Sequence, residues 1–238
     1  MALHESNVKP ICIIPARGGS RRIPGKNVRE MGGRPLISWA IDLAQSSALF
    51  DEIIVSTDSK EIAQCARNAG AAVPFTRSTA LADDDTGLID VVADALLRSP
   101  SPLPPDQLVC CLLPSAVLLS REDLEESHQK MASESGQHFL TSSTRYAHPI
   151  ERAFTVPYDG VAVPREPDAI IKRTQDCVEF FHDAGQFYWG RVDVWLRALS
   201  ILADTHVYVL PSSRAVDLDT EEDWVLLEAL FKHQGPRR

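Results

Sequence analysis

Ile13-Ile14-Pro15-Ala16-Arg17-Gly18-Gly19-Ser20-Arg21-Arg22-Ile23-Pro24-Gly25-Lys26-Asn27 decides how the rest of this chain is read. An apolar run, suited to a buried strand, breaks at a glycine pair flanked by Arg17, Arg21, Arg22 and Lys26. Glycine lets the main chain approach a ligand closely, and successive N–H groups in such a turn form a nest for an anion. Arginine adds a planar fork that matches phosphate oxygens, and lysine adds a point charge. The stretch therefore predicts a polyphosphate site at the end of a strand. It is not a Walker A loop, because G-x-x-x-x-G-K-[ST] requires glycine where Ser20 stands and a hydroxyl where Asn27 stands. It holds no G-x-G-x-x-G either.

Outward from this loop, short apolar runs alternate with helical patterns. Strands are predicted at 10–15, 52–56, 71–74, 107–113, 138–142, 186–189 and 206–210. A helix over 35–48 places Leu36, Ile37, Ala40, Ile41 and Ala44 on one face. Asp58 with Glu61 reads as a capping box for a helix that stops at Gly70, and Thr86 reads as the cap of the next helix. Ser120 with Asp123 and Thr220 with Asp223 resemble two further helix starts. The alternation predicts an α/β fold: a mostly parallel, Rossmann-like sheet with helices on both faces. In such sheets ligands bind beyond the carboxyl ends of the strands, where Arg17, Asp58 and Ser115 all fall.

The chain has 238 residues, 44% of them hydrophobic, which suits one large α/β domain over 1–238. Residues from about 145 to 183 break the rhythm with Pro149, Pro157, Pro164 and Pro167. They predict an extended arm that pairs with a second subunit. The net charge of −9 argues against a nucleic-acid-binding surface. Cations nevertheless crowd the first part of the chain, where Lys9, Arg17, Arg21, Arg22, Lys26, Arg29 and Arg34 face only Glu5 and Glu30. That asymmetry predicts a small anionic ligand. The five cysteines (Cys12, Cys65, Cys110, Cys111 and Cys177) include no C-x-x-C, so neither a disulfide framework nor a zinc site is expected. No leader-like segment and no membrane-length apolar run is evident, so the expectation is a soluble, cytoplasmic protein with no membrane partner.

The second informative stretch is Asp217-Leu218-Asp219. In an extended segment residues i and i+2 point to one side, so both carboxylates would face a single pocket while Leu218 faces the core. Paired carboxylates either repel or hold a cation, and Mg²⁺ is commonly held by one or two carboxylates together with substrate phosphates. On the alternative reading, Asp219 belongs to the N-terminus of the following helix and is stabilised by its dipole.

Several motifs together resemble the CMP–sugar synthetases, the cytidylyltransferases that activate acidic sugars. They are Ile-Pro-Ala-Arg-Gly-Gly-Ser at 14–20, Arg-Ile-Pro-Gly-Lys-Asn at 22–27, Phe-Asp-Glu-Ile-Ile-Val-Ser-Thr-Asp at 50–58 and Val-Pro-Phe-Thr-Arg at 73–77. His-Asp-Ala-Gly-Gln-Phe-Tyr-Trp-Gly at 182–190 and Asp-Leu-Asp-Thr-Glu-Glu-Asp-Trp at 217–224 complete the set. The resemblance spans about residues 10 to 232 and is greatest to the branch that activates pseudaminic acid. It implies a nucleotidyltransferase that joins CTP to a nonulosonic acid, a nine-carbon acidic sugar, with release of pyrophosphate. Synthesis of CMP-sialic or CMP-legionaminic acid, or a nucleotide-binding module without turnover, are the alternatives.

The resemblance also implies roles. Ala16, Arg17, Gly18, Gly19, Ser20, Arg21, Lys26 and Asn27 form the nucleotide loop. Arg77 and Ser115 lie near the nucleotide, and Asp217 and Asp219 hold magnesium. Arg17, Lys26, Asp217 and Asp219 are the expected catalytic set. Arg173, Gln175, His182, Asp183 and Gln186 fall where the sugar is read, and the arm forms a homodimer. Sialate enzymes resemble one another in a Gln-Pro-Thr-Ser-Pro-Leu-Arg run. Here it reads Leu113-Pro114-Ser115-Ala116-Val117-Leu118-Leu119, which removes that glutamine and arginine. His182 is a candidate general base because its ordinary pKa is near neutral. A structural or substrate hydrogen bond is its other reading.

Overall fold

The computed structural model describes residues 8–83, 85–134 and 138–235. Six strands form the central sheet: β1 (Ile11–Pro15), β2 (Glu52–Ser56), β3 (Leu108–Leu112), β4 (Phe139–Arg145), β5 (Phe181–Arg191) and β6 (Thr205–Val209). Their order is β6-β4-β5-β3-β1-β2. β1 runs parallel to β2 and β3, and β6 runs parallel to β4, while β5 is antiparallel to both of its neighbours. The expected mostly parallel sheet is thus present, with one reversed strand in its middle.

Helices α1 (Leu36–Ser47), α2 (Lys60–Asn68), α3 (Leu88–Leu97), α4 (Arg121–Ser133), α5 (Val192–Arg197) and α6 (Glu221–Gln234) complete the frame. Alternation along β1 sends Cys12 and Ile14 to the face covered by α1, α2 and α4, and Ile11 and Ile13 to the face covered by α3 and α5. Both sheet faces are therefore apolar, as a doubly covered sheet requires. Burying a side chain such as Ile14 contributes about 1.5–3 kcal/mol relative to leaving it exposed. A third apolar cluster sets α6, through Trp224, Leu227 and Phe231, against Ile23, Met31 and Leu218. It joins the glycine–cation loop to the carboxylate segment.

Several local expectations change. Segment 71–74 is no full strand; Ala72 only bridges to Ile54, and Pro74 has no N–H to extend the ladder. The strand expected at 186–189 is the far half of the longer β5, whose polar beginning at His182 and Asp183 hides its continuity. Ser59, not Asp58, caps α2, because the Asp58 carboxylate instead accepts the Gly18 N–H at 2.8 Å. Gly87, not Thr86, precedes α3; the Thr86 hydroxyl donates to Asp83 Oδ1 at 2.5 Å. The capping boxes at Ser120 and Thr220 are both present.

Between β4 and β5 the chain makes single-turn helices and one two-residue ladder, Phe154–Thr155 with Val163–Pro164. This is the segment expected to form an arm. The five cysteines are all free, and Cys12, Cys110 and Cys111 are buried in the sheet. Among the described residues no helix is long and apolar enough to cross a membrane.

Candidate active site

A cavity of about 630 Å³ opens beyond the ends of β1 and β3, at Pro15, Leu113 and Pro114. One wall is the cationic loop, which presents Arg17, Ser20, Arg21, Arg22, Lys26 and Asn27. The facing wall carries Asp217 and Asp219, with Leu218 completely buried between them. The i, i+2 geometry expected of these carboxylates is what the structure has. Asp219 precedes α6 rather than belonging to its first turn: Thr220 is the cap, and Asp223 Oδ2 accepts the N–H groups of Asp219 and Thr220 at 3.1 and 2.7 Å.

The two walls are tied together. Lys26 Nζ donates to the Leu218 carbonyl at 2.8 Å. Burial pulls the Lys26 ammonium's pKa down, while Asp219 and then Asp217 push it up. Arg22 pairs with Asp219 at 2.7 Å. At the rim Arg29 pairs with Glu221 at 2.7 Å and lies over the Trp224 ring, 4.1 Å from its centroid. The Asp217 carboxyl is held above the ordinary aspartate range, first by burial and then by Asp219. Its environment disfavours the ionised form, and an added positive charge would relieve that.

Within the loop, the amides are not all open. Gly18 spends its N–H on Asp58, and the buried Ala16 donates to the Ser56 carbonyl at 2.9 Å. A side-chain carbon at Gly19 would meet no atom within 4 Å, so the chain's own packing does not require glycine there. Asn27 Nδ2 donates to the Arg17 carbonyl at 3.0 Å, fixing the turn. Asn27 Oδ1 is buried with no partner among the described residues, an acceptor left for a ligand's hydroxyl or amine. Arg17 Nη1 donates to the Asp83 carbonyl at 2.6 Å, reaching across to the loop before α3.

Arg77 is buried at the cavity's inner end. It donates to the Ser56 hydroxyl at 3.1 Å and to the Ser56 carbonyl. Burial lowers its pKa, against the pull of Asp58 and Asp94, but a guanidinium stays charged in a protein. Ser115, also buried, lines the cavity after β3.

The residues expected to read the sugar are not gathered in this cavity. His182 is exposed on β5, with Nδ1 2.8 Å from the Asp183 carbonyl and its ring 4.7 Å from that of Tyr146. Asp183 accepts from Tyr188 Oη at 2.6 Å and from the Gly185 N–H at 2.9 Å. Gln186 is 1% exposed, and its Nε2 lies 2.8–3.0 Å from the carbonyls of Ala184, Gly185 and Val216. Its amide nitrogen is committed inside the protein, and Gln186 is not part of the cavity lining. Arg173 and Gln175 are exposed on the arm, outside the cavity lining. Of the two leucines that replace the sialate pattern, Leu113 lines the cavity, whereas Leu119 belongs to the main core.

The sequence reading missed a third wall, formed by Leu81, Asp83, Thr86, Leu88 and Val91. Its sequence carries acidic residues and Gly87 but no cation to mark a phosphate site, and Thr86 reads equally well as a helix cap. Arg22 was legible only as one more positive charge.

The donor set at Asp217 and Asp219 suits a hard divalent cation. Both side chains supply carboxylate oxygen, and neither histidine nor cysteine lines the cavity. Among the described residues no group of three or more potential ligands stands together, so such an ion would share its coordination with phosphate and water.

Residues 11–207 match the family model described as Cytidylyltransferase. The chain is 37% identical to the pseudaminic acid cytidylyltransferase of Campylobacter jejuni over 226 residues, which cover 94% of this chain and 97% of that protein. Over a shorter stretch of 88 residues it is 49% identical to the CMP-N,N'-diacetyllegionaminic acid synthase of Legionella pneumophila, covering 37% of this chain and 38% of that one. Among solved structures, a CMP:2-keto-3-deoxy-manno-octonic acid synthetase complexed with CTP superposes with a TM-score of 0.69 at 20% identity, over 95% of this chain and 99% of that one.

Proposed function

Because this chain belongs to the cytidylyltransferase family, we propose that it joins CTP to a nonulosonic acid, pseudaminic acid in preference, and releases pyrophosphate. The observation that carries this reading is the facing of a cationic loop and a carboxylate pair across one cavity. The sugar's anomeric hydroxyl attacks the α-phosphorus, and the bond to pyrophosphate breaks on the opposite side. Arg17, Arg21 and Lys26 bind the triphosphate and stabilise the charge that builds on the phosphoryl and leaving oxygens. Asn27, Arg77 and Ser115 orient the nucleoside. Asp217 and Asp219 would hold Mg²⁺, which supplies further neutralisation of the phosphates when bound.

Homology to the pseudaminic and legionaminic enzymes supports the sugar class. Leu113 supports the finer choice. A hydroxyl or carboxylate pressed against it loses water without gaining a partner, at about 1–3 kcal/mol per group. We further propose that the arm pairs two copies, since Phe154, Val156, Val163 and Ile171 are exposed on it. Arg173 and Gln175 would then meet sugar at the partner's cavity. Free thiols and a CTP substrate fit a cytoplasmic enzyme.

The test is pyrophosphate release with CTP, UTP and GTP against pseudaminic, legionaminic and N-acetylneuraminic acids. CTP with pseudaminic acid is expected to give a kcat/KM roughly 5- to 150-fold above that with N-acetylneuraminic acid. Equal or better use of the latter overturns the sugar choice and leaves the reaction class standing. No pyrophosphate release with any pair overturns both.

A further inference from the structure

The motif at 182–190 is not part of the cavity lining, yet it meets the segment that carries Asp217 through a hydrogen bond from Gln186 and the close approach of Gly185. β5 departs from its regular register here. Thr141 faces Tyr188 and Ser143 faces Asp183, so Ser142 alone stands opposite residues 184–187. The Ser142 hydroxyl accepts the N–H groups of Gln186 and Phe187, at 3.2 and 3.0 Å, which holds the bulge closed. At its tip Gly185 has φ +60, and a side-chain carbon built there would lie 3.0 Å from Asp217 Oδ1. The Asp217 carboxylate thus occupies the space that any other residue at 185 would fill.

Four further hydrogen bonds fix this arrangement. Tyr188 Oη holds one oxygen of Asp183, whose other oxygen accepts the Gly185 N–H. Gln186 Nε2 lies 3.0 Å from the carbonyl of Val216, the residue before Asp217. The Gln186 carbonyl accepts the N–H of Leu113, on the neighbouring cavity wall, at 2.9 Å. Asp183 is therefore held by the Tyr188 hydroxyl and the Gly185 N–H, and the Gln186 amide nitrogen by backbone carbonyls.

We infer that Asp183, Gly185, Gln186 and Tyr188 are positioning residues, a buttress that sets where the Asp217 carboxylate stands and thereby the affinity for a divalent cation–CTP complex. This rests on the proposed cytidylyltransferase chemistry, with Asp217 as a cation ligand. Groups that orient ligands in this way typically change metal affinity about 10- to 100-fold when removed.

The experiment titrates Mn²⁺–CTP onto the full chain and reads binding by water-proton relaxation enhancement, beside the KM for the sugar and the melting temperature. Gln186→Met removes the donor to Val216 at similar volume, and Tyr188→Phe removes only the hydroxyl on Asp183. Both are expected to melt close to the parent, to weaken Mn²⁺–CTP binding about 10-fold or more, and to leave the sugar KM unchanged. Gly185→Ala is expected to weaken it further. Parental Mn²⁺–CTP affinity in folded Tyr188→Phe overturns the inference, and a raised sugar KM alongside it assigns the motif to the sugar instead. Asp217→Asn is the control for the underlying reading. If it keeps parental affinity, Asp217 holds no cation and the buttress has nothing to set. If it loses affinity while Tyr188→Phe does not, only the buttress fails.

Discussion

Around the cavity, charged side chains stand in front of a packed sheet in which Ile13, Ile14 and Cys111 are completely buried. In the arm the relation is inverted. There the apolar side chains face outward, with Ile171 89% and Val178 66% exposed, while Glu151 is buried and accepts the Val178 N–H at 3.1 Å. The cavity's charged residues stand on a frame whose apolar packing is made by other side chains. The arm leaves apolar surface open, and contiguous patches of that kind mark interaction sites. Substitutions should therefore act first on chemistry at the cavity and first on assembly at the arm's apolar surface.

The largest effect is expected from Asp219→Asn. It keeps the shape of the side chain, removes one of two charges from the proposed cation site and weakens the pair with Arg22. Pyrophosphate release should fall by roughly 10²-fold or more and recover in part with excess Mg²⁺. Near-parental turnover at limiting Mg²⁺ would remove Asp219 from the site.

Next in size, Arg17→Ala and Lys26→Ala should each slow turnover by about 10- to 100-fold while the melting temperature moves by only a few degrees. Lys26 sharpens the comparison, because its bond to the Leu218 carbonyl ties the loop to the carboxylate segment. A variant that melts far lower but works normally where folded would reassign it to the frame.

The arm should respond differently. Ile171→Asp places a charge on the proposed contact surface, and the protein should then sediment as a monomer at micromolar concentration while the parent sediments as a dimer. A parent that is already monomeric refutes the pairing.

The smallest change in stability, and opposite in sign to the usual one, is expected from Asp217→Asn. Its ionised carboxylate is disfavoured by burial and by Asp219, so removing the charge should raise the melting temperature by about 2 °C even as activity is lost. A marked fall would show that Lys26 compensates the buried charge more fully than the geometry indicates.

What the sequence determined by itself is local or periodic. Short-range alternation marked both layers of the fold, because burial on two sides of a sheet leaves continuous apolar strands. The glycine–cation loop predicted a phosphate site, since backbone freedom and positive charge lie within a few residues. The i, i+2 spacing of Asp217 and Asp219 needed only an extended backbone to act as a pair. Tertiary structure decided what depends on distant partners. Asp58 caps no helix because Gly18, 40 residues away in sequence, offers it an N–H. Leu113 lines the cavity and Leu119 is buried in the core, although both stand in one apolar run. By resemblance Gln186 is expected at the sugar, and nothing in the sequence singles out Gly185. Only the folded chain shows the bulge of β5 lying against Asp217, with a hydrogen bond from Gln186 to Val216 and no room for a side-chain carbon at Gly185. Hydrogen-bond partners and excluded volume are properties of three-dimensional neighbours, and residue type alone does not carry them.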